Sequence, residues 1–75
     1  MEINEFSILS DIVEENKLAI DAIANINSHF IKLKNPVLRK MFTSSVNIKQ
    51  AATIGGVEPN VLLNELSKIG FIIKK

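Results

Sequence analysis

A chain of 75 residues has room for one domain with one modest core, so a single helical domain over residues 1–75 is the expectation. It has no cysteine and one histidine, His29, which removes thiol catalysis and disulfides and argues against the usual Cys/His metal cages. Apolar residues make up 47% and aromatics 5%, a globular composition with an aliphatic core, and the net charge of +1 hides a sorting: six acids and one base in residues 1–21, eight bases and two acids in residues 22–75.

The opening stretch MEINEFSILSDIVEEN is acidic and broken by charge, unlike a signal peptide, and no apolar run approaches the roughly 20 residues of a bilayer span. A cytoplasmic protein with no membrane contact is expected. Ser7 precedes Ile8, Leu9, Ile12 and Val13, an apolar stripe with Asp11, Glu14 and Glu15 opposite, which predicts a helix over residues 8–15, with Asn16 either ending it or capping the next. The second helix, about residues 17–27, is apolar on nearly every side through Leu18, Ala19, Ile20, Ala22, Ile23, Ala24 and Ile26. Such a helix is buried: either it lies at the centre of the bundle or a second copy of the chain completes its cover.

Between Ser28 and Lys34 the sequence HFIKLK alternates, as a briefly extended piece would, and is best read as a loop. Asn35-Pro36 then supplies an N-cap and a proline at the first helical position, where a missing N–H costs nothing. The third helix runs from there to Thr43, with Val37, Leu38, Met41 and Phe42 as its expected buried side. Asn47 with Gln50 three residues on is a variant capping box for a fourth helix, about residues 47–54, and Gly55-Gly56 supplies its left-handed stop.

Pro59 opens a fifth helix with Leu62, Leu63, Leu66 and Ile69 as core stripe, Lys68 in the last turn and Gly70 at its close. Phe71 is expected to fold back on Leu66, and the tail 72–75 to be a short extended piece or to fray. The fold class is therefore all-α: a small orthogonal bundle of about five short helices. Its C-terminal corner is helix-turn-helix-like, because Ala52, Gly56, Val57 and Leu62 stand at the spacings such a motif uses.

Chemistry is sparse in this pattern. Lys32, Lys34, Asn35, Arg39 and Lys40 surround the start of the third helix, where free N–H groups and the dipole attract anions, so they form a candidate phosphate- or carboxylate-binding site. The plainer alternative is a solvated basic loop paired loosely with Glu14 or Glu15. A recognition helix from Pro59 would offer Asn60, Leu63, Asn64 and Glu65 with only Lys68 positive, so nucleic acid is not the expected partner. His29 has no nucleophile or carboxylate placed beside it, and Gly55-Gly56 lacks the strand and further glycines of a nucleotide-binding loop. Neither an enzyme nor a cofactor is expected.

Asn35-Pro36-Val37-Leu38-Arg39, Gln50-Ala51-Ala52, Gly56-Val57 and Leu62-Leu63 before Leu66, with the Ile-rich opening helices, form an ordered pattern over about residues 3–71. In this the chain resembles the small helical domains of unknown function related to hybrid-cluster-protein-associated redox disulfide domains. The resemblance implies an α-helical unit serving a redox or sensory partner protein. Its redox branch carries two cysteines after the second helix, where this chain reads NSHFIKL, so the similarity is to the cysteine-free branch and disulfide chemistry does not carry over. The function expected is a non-catalytic protein-interaction or self-association module, with a homodimer as one form. Ile20, Ala24, Phe30, Ile31 and Leu33 are the candidate interface; weak DNA binding and small-anion binding are the alternatives.

Overall fold

The computed structural model describes residues 1–74. The chain runs β1 (Glu2–Ile3), α1 (Leu9–Glu15), α2 (Leu18–Ala24), a 3-10 helix (Ser28–Lys34), α3 (Pro36–Thr43), α4 (Ile48–Gly55), α5 (Pro59–Ser67) and β2 (Ile72–Ile73). Among the described residues it is a mostly helical fold with one two-stranded sheet, so the five-helix expectation is corrected by a sixth, 3-10 element and by the strands.

The segment expected to be a loop is the 3-10 helix. Asn27 is extended, and its side chain accepts from the His29 N–H at 2.9 Å, which opens the new helix and ends α2 three residues before the expected boundary. A three-residue repeat puts Phe30 and Leu33 on one side, and both are fully buried. Ile31 and Leu33, which alternate with lysines in the sequence, fall on different sides of this tighter helix, Leu33 buried and Ile31 exposed.

Phe30 sets the close packing of the core. A Cβ on Gly55 would meet the Phe30 ring at 2.2 Å, so α4 can lie on the 3-10 helix only because its last residue has no side chain. Asn27 fixes the same contact, its amide donating to the Gly55 carbonyl at 3.2 Å. The two glycines thus divide the work expected of them jointly, since the left-handed stop belongs to Gly56 alone, at φ 71°.

The capping box at α4 forms as predicted: Asn47 accepts from the Gln50 N–H at 2.8 Å, and Gln50 accepts from the Asn47 N–H at 3.0 Å. α5 buries Leu62, Leu63 and Leu66, and after Gly70 the Phe71 N–H donates to the Leu66 carbonyl at 3.3 Å while its ring enters the core. α2 packs on α1, α5 and the 3-10 helix through Ala19, Ile23 and Ala24, yet its Leu18 is exposed, so the cover over this helix is one-sided.

The tail takes the extended form. Ile72 and Ile73 pair in parallel with Glu2 and Ile3, with Ile72 N–H donating to the Met1 carbonyl at 3.0 Å and Lys74 N–H to the Ile3 carbonyl at 2.8 Å. Lys75, part of the same expectation, lies outside the described residues. Pairing of the ends buries Ile3, and an antiparallel bridge between Ile8 and Asn47 ties the opening segment to the start of α4.

Candidate functional site

α3 is where sequence and structure part most. Asn35 caps it as expected, accepting from Val37 N–H at 3.0 Å and Leu38 N–H at 3.3 Å, and Pro36 takes the first helical position. Of the four apolar side chains expected inside, only Phe42 is buried; Val37, Leu38 and Met41 are 69%, 45% and 74% exposed. Val37 and Met41 stand four residues apart and so share a face, with Leu38 on its flank.

The cause lies on the opposite side of the helix. Thr43 is buried beside Phe42 and donates its hydroxyl to the Arg39 carbonyl at 2.8 Å, while the Arg39 guanidinium donates to the Leu33 carbonyl at 3.0 Å. These bonds satisfy the polar side chains of the inward face: the Thr43 bond stays within α3, and the Arg39 bond ties α3 to the end of the 3-10 helix. The sequence carried two faces that could be buried, Val37/Met41 and Phe42 with Arg39 and Thr43. Hydropathy favours the first, but the second is the one turned inward, with Phe42 in the core and Arg39 reaching the Leu33 carbonyl.

The five candidate anion ligands do not converge. Val37 and Leu38 N–H groups are taken by the Asn35 side chain, the Arg39 N–H donates to the Asn35 carbonyl at 2.8 Å, and Pro36 has no donor, so the first turn offers an anion no free backbone group. Lys32 points its ammonium at the Phe42 ring, 4.5 Å from the centroid, and Arg39 is engaged with Leu33. Lys34 and Lys40 are exposed.

The expected interface is also dispersed. Phe30, Leu33 and Ala24 belong to the buried interior, a correction to their place on a contact surface, because the 3-10 turn carries the two larger ones inward. Ile20 is half-buried against the core and Ile31 is exposed. His29 is exposed at the start of the 3-10 helix, and Met41, expected in the core, is the most exposed of the large apolar side chains.

Beside α3 lies a groove of about 500 Å³ whose other wall is α1. Ser10, Val13 and Glu14 line the α1 side, and Pro36, Arg39, Lys40, Thr43 and Ser44 the α3 side. No ion pair crosses it: among the described residues the one salt bridge is Lys68 to Glu65, at 2.7 Å on α5. Of the charges sorted along the sequence, Glu14 on one wall and Arg39 and Lys40 on the other thus line one groove without bridging it. Among the described residues no helix is long and apolar enough to cross a membrane.

No family, curated protein or solved structure matches this chain.

Proposed function

We propose that the chain is a non-catalytic protein-docking module that works through the outward face of α3. The observation that carries this is the exposure of Val37, Leu38 and Met41 together on one short helix whose opposite face is fixed by hydrogen bonds. Scattered exposed apolar side chains are ordinary, whereas three on adjoining positions of one helix make a patch that gains free energy when covered. Burying Val37 and Met41 fully against a partner is worth about 1.5–3 kcal/mol each. The resemblance to redox-associated domains supports a redox or sensory protein as partner.

The test is capture. Immobilised wild-type protein is expected to retain a partner from an extract of the cells that make it, and a Val37→Asp/Met41→Asp double variant with an unchanged circular dichroism spectrum is expected to lose it. Equal capture by both proteins overturns the α3 reading.

A second reading, weak DNA binding by a helix-turn-helix-like corner, is supported by the tight turn at Gly56 and by the outward side of α5, where Asn60, Val61 and Asn64 are exposed. Lys68, its one cation, is held by Glu65. A gel-shift titration at low salt decides it, because non-specific affinity appears there first.

A further inference from the structure

Resting on the docking reading of α3, we infer that the occupant of this surface is a second copy of the chain, joined by a two-fold axis running along the α1–α3 groove. Under that operation the α1 wall of each protomer lies over the α3 wall of the other. The walls differ in sign: Glu14, with Ser10 and Val13, on one; Arg39 and Lys40, with Pro36, on the other. A surface with a carboxylate on one wall and cations on the other is complementary to itself when turned over, which is the requirement of an isologous interface.

One observation favours a second copy over a partner of unrelated sequence, and two more describe the surface it would cover. First, Glu14 and Lys40 are exposed and make no salt bridge within the chain, so each is available to a counterpart of opposite sign. Second, half-buried Val13 and buried Thr43 stand in the lining of the groove, so its floor reaches the edge of the core. Third, Lys40 lines the groove and is three residues from Val37, so it lies between the groove and the Val37–Met41 row. Charged strips fix the register, and the adjoining apolar row supplies area that is costly to leave in water. A standard interface of about 800 Å² per partner would cover roughly a sixth of the 4599 Å² surface.

The proposal is read by mass. Light scattering behind size exclusion, run over a concentration series at low salt, is expected to show the 8.3 kDa chain passing to twice its mass. Glu14→Lys and Lys40→Glu are each expected to raise the dimer dissociation constant about tenfold or more, and the Glu14→Lys/Lys40→Glu double variant to restore it, since exchanging the signs preserves the complementarity. Circular dichroism on each variant separates loss of association from loss of fold. A monomer at every concentration overturns the inference, as does a dimer indifferent to both reversals, or a double variant no better than the singles. Should the chain stay monomeric while Val37 and Met41 still govern capture of another protein, the second copy fails as occupant and the α3 docking surface stands.

Discussion

α3 and α5 are written in nearly the same language. Each opens with proline at its first position, each spans two turns, and each carries several large aliphatic side chains. α5 buries Leu62, Leu63 and Leu66, whereas α3 buries Phe42 and leaves Val37, Leu38 and Met41 outside. Local signals decide that a helix forms and where it starts. Which side it turns inward depends on what the rest of the chain sets against it, and for α3 that is the Leu33 carbonyl, reached by Arg39.

The contrast predicts a ranking of substitutions, and any reversal in it would break the comparison. Phe30→Ala removes the side chain around which α4 and the 3-10 helix close, and a loss of about 3–5 kcal/mol is expected in urea unfolding, enough to threaten a domain of this size. Gly55→Ala drives a methyl into the same ring; overpacking of this kind costs about 1–3 kcal/mol, and a paired Gly55→Ala/Phe30→Leu variant is expected to recover part of it.

Gly56→Ala meets no atom within 4 Å, so its cost is that of the left-handed backbone alone, about 1 kcal/mol. Measuring it beside Gly55→Ala separates two neighbouring glycines by mechanism. Asn47→Ala removes the acceptor of the α4 capping box, and about 1 kcal/mol is expected in the same assay. Smallest of all, Val37→Ser or Met41→Ser is expected to shift stability by no more than about 0.5 kcal/mol, the usual range for surface positions. A shift as large as that of Phe30→Ala would mean that α3 faces the other way.

Where the sequence was legible, a short-range chemical signal existed. Asn35-Pro36, the Asn47/Gln50 pair, Gly56 and Gly70 each acted at the expected place, because a cap or a left-handed residue is decided by neighbours within about four positions. The 3-10 helix was missed for a local reason as well: Phe30 and Leu33 repeat at three, a period that a scan for two or 3.6 does not register. Gly55 could not be understood before Phe30 was known to lie over it.

The candidate site was less legible than the fold. Lys32, Lys34, Arg39 and Lys40 cluster in sequence, but one lies against an aromatic ring, one donates to a carbonyl, and two are exposed. Clustering of charge along the chain says nothing of where the side chains point. The groove between α1 and α3 joins residues some 25 positions apart, and its opposing signs become visible only when those helices are set side by side.

The parallel pairing of Glu2–Ile3 with Ile72–Ile73 has a temporal side. Ile3 finds its strand partner 70 positions later, so during synthesis the opening segment waits while the helices between them emerge and collapse. The seam between the strands thus closes a loop that spans nearly the whole fold, and burial of Ile3 helps to offset the chain entropy this costs.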